Sequence, residues 1–170
     1  MISFVTMTAG AVLLLANTTR EGPTRRVADA RGRFSLEVGA ACQSMEDPVL
    51  GKLGGFALRC EPPAPAATLK AVAVDFPLPI SLDDYVKNST AAWERIWKIE
   101  ERSETMLGGK RALRLVILQT TGADTKRLLK YFVASHQGGA TVITLYAEPE
   151  AFAGRLVELE AIARSFQPGR

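Results

Sequence analysis

Residues 107–146 have the sequence LGGKRALRLVILQTTGADTKRLLKYFVASHQGGATVITLY, and this stretch decides the fold. Three apolar runs in it have the length and composition of strands: 113–118, 128–134 and 141–146. Glycine-bearing turns precede them, at 108–109, 122–124 and 137–139. Glycine in short connections between apolar runs is typical of β-hairpins. The stretch predicts an antiparallel meander of three strong strands, preceded by a weaker and highly charged strand over 98–106.

The central strands of this meander are apolar at both alternate positions. In the first run Leu113, Leu115 and Ile117 belong to one face, and Val116 and Leu118 belong to the other. Strands of this kind are typical of a sheet that is covered on both faces. We therefore expect a layer of structure on each side of the sheet.

Two helices are predicted to supply these layers. Ser81 followed three residues later by Asp84 has the form of a capping box, so a helix should begin there. Its helical spacing extends over Leu82, Tyr85, Val86, Ser89, Trp93 and Ile96. A second helix should begin near Pro149 and carry Phe152, Leu156, Leu159, Ala163 and Phe166. The predicted fold is α+β: an α/β/α sandwich with a largely antiparallel, meander-rich central sheet covered by a helix on each face.

Three further strands are predicted before the first helix, at 34–38, 56–60 and 69–76. The segment at 42–55 is rich in turn-forming residues and is predicted to be a loop. Pro62, Pro63 and Pro65 have no N–H to donate to a β-ladder, so they predict a connector.

The N-terminal region predicts the compartment. The uncharged apolar block from Ile2 to Ala16 is short for a membrane span but has the length of a signal-peptide core. We predict a signal peptide over 1–16, a flexible linker over 17–32 and a single domain over 33–167. The alternative is that the block is a core strand or helix of a cytoplasmic protein.

The composition limits the partner classes. Hydrophobic residues make up 47% and charged residues 23%, as in a soluble globular domain. The formal net charge of +3 is small and dispersed, so we expect no nucleic-acid partner. A monomer without an integral membrane segment in the mature chain is expected.

Cys42 and Cys60 are the two cysteines of the chain. In an oxidising compartment an even number of cysteines suggests a disulfide, so this pair is a disulfide candidate. Two buried free thiols are the alternative. Without a neighbouring histidine, the pair cannot supply the four ligands of a zinc site.

No residue set predicts catalysis, a cofactor or a metal site. His136, the one histidine, lies beside a turn and is expected to face solvent. Asp83 and Asp84 suit a helix start, where negative charge is stabilised. A divalent cation could be attracted by four acidic residues, although a solvated sheet edge is the favoured interpretation: Glu100, Glu101, Glu104 and Asp124. Tyr85 and Trp93 are interpreted as core packing.

Several segments resemble the PsbP-like fold superfamily, which includes photosystem accessory proteins, DcrB-type envelope proteins, the Ran-binding Mog protein and the Eag secretion chaperones. The resemblance covers roughly 33–167 and depends on these pieces: FSLEV at 34–38, the helix around Tyr85 and Trp93, LGGKRA at 107–112, Tyr131-Phe132 with Gly138-Gly139, and LEAIARSF at 159–166.

The resemblance implies a protein that binds rather than catalyses. We expect a non-enzymatic exported accessory protein that docks to a protein partner or holds a small ligand between sheet and helix. The alternative is a cytoplasmic chaperone similar to the Eag chaperones of type VI secretion.

Overall fold

The computed structural model describes residues 23–61, 67–74, 80–135 and 138–169. Its strands are β1 (Thr24–Ala28), β2 (Phe34–Gly39), β3 (Gln43–Met45), β4 (Phe56–Cys60), β5 (Ala67–Val74), β6 (Lys98–Leu107), β7 (Lys110–Thr121), β8 (Asp124–Ala134), β9 (Ala140–Ala147) and β10 (Gln167–Pro168). Its α-helices are α1 (Pro48–Leu53), α2 (Leu82–Ala91) and α3 (Pro149–Arg164).

The central sheet has the strand order β3-β4-β5-β9-β8-β7-β6, and every neighbouring pair is antiparallel. The predicted meander is confirmed as β6 to β9. Gly108 and Gly109 make the tight turn between β6 and β7 with φ values of 54° and 73°. Such left-handed conformations favour glycine, which explains why the pair marks the hairpin in the sequence.

Both faces of the central sheet are buried, as predicted. One face, which we call the α3 face, packs Val116, Leu129 and Leu145 against the helix residues Phe152 and Leu159. The opposite face, which we call the α2 face, packs against the helix residues Leu82 and Val86. Its buried sheet residues include Leu113, Leu115, Ile117, Phe132 and Val142. The predicted α+β sandwich with a helix on each face is therefore confirmed.

A small sheet of order β1-β2-β10 shares the α3 side with α3, and the sequence did not predict it. Phe34 of β2 is buried and stacks on Phe166, with ring centroids 6.1 Å apart. At the β1–β2 turn the buried carboxylate of Asp29 accepts hydrogen bonds from the backbone N–H groups of Arg31 and Arg33. Arg33 also donates to Asp29 through its guanidinium, at 2.7 Å.

Strand β1 corrects the prediction of a flexible linker over 17–32. Residues Thr24–Ala28 pair with β2 across five register positions, so the folded part of the chain begins before Arg33. The segment lacks an apolar alternation because its side chains are mostly exposed, and its strand is held by backbone hydrogen bonds.

Two other local predictions are corrected. The loop predicted at 42–55 contains β3 and α1, where Asp47 caps the helix by accepting from the N–H groups of Val49 and Leu50. Helix α2 begins after Ser81 as predicted but ends at Ala91, and a short 3-10 turn at Trp93–Arg95 follows. Ile96, predicted to extend the apolar face, is 65% exposed.

Some predictions concern residues outside the described ranges. They are the signal peptide over 1–16, the first residues of the linker over 17–22, the proline connector at 62–65 and the environment of His136. Among the helices of the described ranges, none has the length and apolar character needed to cross a membrane.

Candidate ligand-binding site

Lys130 occupies the middle of the α2 face. In the register of the sheet it lies between Leu115 of β7 and Thr144 of β9. Leu115 is fully buried, whereas Lys130 and Thr144 are partly exposed. A cation therefore stands where the strand pattern would place an apolar residue.

Four aromatic side chains form a connected cluster on the helix side, and two of them, Trp93 and Phe132, contact this lysine. We call the cluster the aromatic shelf: Tyr85, Trp93, Trp97 and Phe132. The Nζ atom of Lys130 lies 4.2 Å from the ring centroid of Trp93 and 5.8 Å from that of Phe132. Trp93 is held in place by Phe132 and Trp97, with centroid distances of 6.3 and 5.6 Å. Cation–π attraction of this kind stabilises an ammonium group without neutralising it.

No carboxylate of the described residues lies within ion-pair distance of Lys130. Burial lowers the pKa of its ammonium group to about 8, because a low-dielectric environment disfavours the charged form. Within the described ranges the one buried side-chain nitrogen or oxygen without a partner is Nε of Arg114. The Lys130 ammonium thus keeps contact with solvent.

Other cations on the same side of the central sheet do have acidic partners. Arg59 pairs with Glu61 at 3.2 Å, Lys70 with Asp47 at 2.8 Å, and Lys126 with Asp124 at 3.4 Å. Lys130 differs from these three both in its burial and in its lack of a partner. A charge that is partly desolvated and has no acidic partner is a candidate functional residue.

A groove of about 260 Å³ opens near the carboxyl end of β9, and Lys130 is not among its lining residues. We call it the Tyr146 groove; its lining residues are Arg59, Cys60, Glu61, Thr68, Tyr146, Ala147 and Glu148. Tyr146 connects the groove to the lysine, because it lies two positions beyond Thr144 on the same face of β9. A ligand held at Lys130 could extend over Tyr146 into this groove.

The disulfide candidate Cys42 and Cys60 forms a bonded pair in the structure, with Cα atoms 4.1 Å apart. Cys42 directly precedes β3, and Cys60 is the last residue of β4. The register of β3 with β4 places the two residues opposite each other across the ladder. The bond therefore closes the end of the sheet beside the Tyr146 groove.

The acidic residues noted in the sequence are distributed among ion pairs. Glu100 pairs with Arg127 at 2.9 Å and Glu101 pairs with Arg114 at 2.7 Å. No group of three or more potential metal ligands occurs among the described residues. Glu100 and Glu101 therefore belong to ion pairs that link the edge strand β6 to β8 and β7.

Asp83 and Asp84 have separate structural roles at the start of α2. Asp84 donates its backbone N–H to the Ser81 hydroxyl, which confirms Ser81 as the N-cap, and its carboxylate accepts from the same hydroxyl instead of from a backbone N–H. Asp83 accepts two hydrogen bonds from Arg111, and this contact lowers the pKa of the Asp83 carboxyl. The Arg111 guanidinium lowers the pKa of Glu104 in the same way.

Sequence reasoning missed Lys130. A signal was present, because Leu128, Lys130 and Phe132 fall on one face of a strand predicted to be covered by a helix. Tyr85 and Trp93, interpreted as core packing, do contact Phe132 but remain partly exposed. Trp93 meets Lys130 only because α2 and the turn that follows it pack over β8. This packing is a tertiary feature that the sequence pattern does not specify.

Comparison with solved structures identifies the fold. The chain is similar to cyanobacterial PsbP from Synechocystis (TM-score 0.63, 12% identity, 92% of this chain and 98% of that one). It is similar to the Ran-binding protein Mog1p of Saccharomyces cerevisiae (0.58, 9%, 87% and 96%). It is also similar to LpqN of Mycobacterium tuberculosis, which is involved in cell envelope biogenesis (0.51, 14%, 89% and 88%).

These likenesses show that the chain has the PsbP-like fold, as the sequence resemblance implied. No protein-family model matches the sequence, and no curated protein matches it.

Proposed function

We propose that this protein is a non-enzymatic accessory protein that works outside the reducing cytosol and binds a partner or small ligand through its α2 face. The observation that carries the proposal is Lys130, an unpaired and partly buried cation over Trp93. Packing alone gives no reason to place a charge there, because burying it is unfavourable. A bound partner or ligand can offset this unfavourable free energy of burying the charge.

Two features support a location outside the cytosol. The cysteines Cys42 and Cys60 are bonded, and structural disulfides are rare in reducing compartments. The apolar block at 2–16 has the length of a signal-peptide core. The similarity to LpqN, a protein of cell envelope biogenesis, is compatible with this location.

Fractionation of the native host tests the location. We expect the protein outside the cytosol, shortened after the apolar block, with Cys42 and Cys60 joined in non-reduced peptides. A full-length cytosolic product with two free thiols would overturn the proposed export and favour the chaperone alternative.

Co-purification tests the binding. Wild-type protein and the Lys130→Met variant are purified from the native host, and whatever remains bound is analysed by mass spectrometry. We expect the wild type to retain a molecule or partner that the variant retains in much lower amount. Because the protein is proposed to be non-enzymatic, incubation should not change the bound molecule chemically. Equal retention by both proteins would contradict a role for the α2 face.

A further inference from the structure

We infer that Lys130 binds the single acidic group of a small amphipathic ligand, whose apolar body lies along the α2 face between the aromatic shelf and Tyr146. This inference rests on the proposed function and names the ligand class for the same site. It follows from three properties of the site, which are its charge, the pairing of its neighbours and the nature of its surface.

The positive charge of Lys130 favours an acidic ligand. Nζ of Lys130 has Trp93 on one side at 4.2 Å, no acidic partner among the described residues, and contact with solvent. An ammonium group has three donors, and the π face of an indole leaves them without a lone-pair acceptor of carboxylate strength. A carboxylate or a similar acid supplies charge-assisted hydrogen bonds at about 2.7–2.9 Å.

The pairing of the neighbouring cations limits the ligand to one such charge. Lys70 lies in the same row of the sheet, beyond Thr144, but already pairs with Asp47 at 2.8 Å. Lys126 pairs with Asp124 at 3.4 Å. A second negative charge on the ligand would therefore meet neutralised pairs rather than free cations, so polyanions are disfavoured.

The surface around Lys130 fits an apolar body. The accessible apolar atoms on this face belong to the partly exposed rings of Trp93, Trp97 and Tyr146, whereas the aliphatic residues of the neighbouring strands are buried beneath the protein surface. Small-molecule sites are typically apolar surfaces with a few polar groups that fix the orientation of the ligand. Here the lysine fixes one end, and Tyr146 leads towards the groove at the other.

The chain carries its own probe for this site, because its two tryptophans, Trp93 and Trp97, both belong to the aromatic shelf. Octanoate is titrated into the full chain at pH 7 while tryptophan fluorescence is recorded. Octanamide, which has the same length without the charge, is the matched neutral probe, and octyl phosphate tests a higher charge.

We expect saturable binding of octanoate, with octanamide at least tenfold weaker and octyl phosphate no tighter than octanoate. Lys130→Met should weaken octanoate binding at least tenfold, because methionine keeps the apolar stem and removes the ammonium group. Lys52→Met is the control: it removes an exposed lysine at the end of α1, outside the aromatic shelf and the Tyr146 groove, and should alter the affinity less than twofold. Cooperative melting of each variant confirms that it is folded.

Equal affinity for octanoate and octanamide, or unchanged octanoate binding by Lys130→Met, would overturn the inference. No octanoate binding by the wild type would also overturn it. In either case the proposed function stands if wild-type protein from the native host still retains a molecule or partner that Lys130→Met loses. Both fail together if neither experiment depends on Lys130.

Discussion

Arg114 and Lys130 are two partly buried cations near the middle of the central sheet, on opposite faces. Arg114 is 13% exposed and pairs with Glu101 at 2.7 Å and with Glu160 of α3 at 3.0 Å. Lys130 has an indole ring where Arg114 has two carboxylates. Because desolvating a charge is unfavourable unless it is paired, the two residues should contribute to stability with opposite signs.

Substitution by methionine separates the two cases at the level of single residues. We expect Lys130→Met to raise the free energy of unfolding at pH 7 by about 1 kcal/mol, since relief from desolvation is partly offset by the lost cation–π contact. Arg114→Met should lower it by about 2 kcal/mol, because Glu160 loses its partner from the sheet. Urea unfolding measures both, and a destabilised Lys130→Met variant would contradict the assignment of Lys130 as an unpaired charge.

The pH dependence of stability gives an independent test of Lys130. Its pKa is about 8 in the folded protein, against an ordinary value of 10.5. Between these values the unfolded chain binds more protons, so the unfavourable charge is fully present below pH 8 and stability rises as the pH increases through the window. Two other titratable groups lie on this face. Burial raises the pKa of the Tyr85 phenol, which belongs to the aromatic shelf, and the hydrogen bond to Asp47 raises the pKa of Lys70.

We therefore expect the wild type, measured by urea unfolding from pH 7.5 to 9.5, to gain stability relative to Lys130→Met. Parallel curves for the two proteins would show that Lys130 does not titrate in this range.

At the scale of elements, the sequence predicted those that carry their own local signals. The β6–β7 hairpin depends on Gly108-Gly109, and α2 begins at the N-cap Ser81, whose partner Asp84 is three residues away in the chain. Helix α1 was missed because Asp47-Pro48 and Gly54 are signals shared by loops and very short helices. Strands β1 and β10 were missed because each is defined by pairing with β2 rather than by its own pattern.

The β3–β4 pair depends on Cys42 and Cys60, which are 18 positions apart. The chain-entropy model gives about 3 kcal/mol for a closed loop of this size. We expect the Cys42→Ser, Cys60→Ser variant to lose about that much free energy of unfolding, as measured with urea under non-reducing conditions. Reductant should destabilise the wild type and leave the variant unchanged; an effect on both would point to another cause.

Strand β1 gives a test by truncation. A chain beginning at Pro23 keeps β1 and Asp29, whereas a chain beginning at Arg33 loses both the strand and the carboxylate that binds Arg33. Removal of an edge strand and a buried ion-pair partner should cost the shorter chain at least about 3 kcal/mol relative to the longer one. Thermal and urea melts compare the two, and equal stability would restore the predicted domain start at Arg33.

At the scale of the whole molecule, the edge strand β6 affects whether two molecules associate through their sheets. β6, at one end of the central sheet, has a register irregularity between Ile99 and Glu101 and carries several charged side chains. Charges and bulges on edge strands oppose pairing between molecules.

We expect light scattering after size-exclusion chromatography to give the mass of one chain at micromolar concentration. A variant with Arg102→Val and Glu104→Val, which removes two of these charges, serves as the positive control for association. A wild-type mass that rises towards two chains with concentration would contradict the monomer.

The small sheet also determines how the molecule can be oriented. β1 and β10, the first and last described strands, both pair with β2 and lie on the α3 side, with the whole thickness of the central sheet between them and Lys130. A surface that immobilises the protein through β1 or β10 would therefore face away from the lysine. On a sensor chip, attachment through an exposed residue of β1 should leave the ligand face open to the flowing solution.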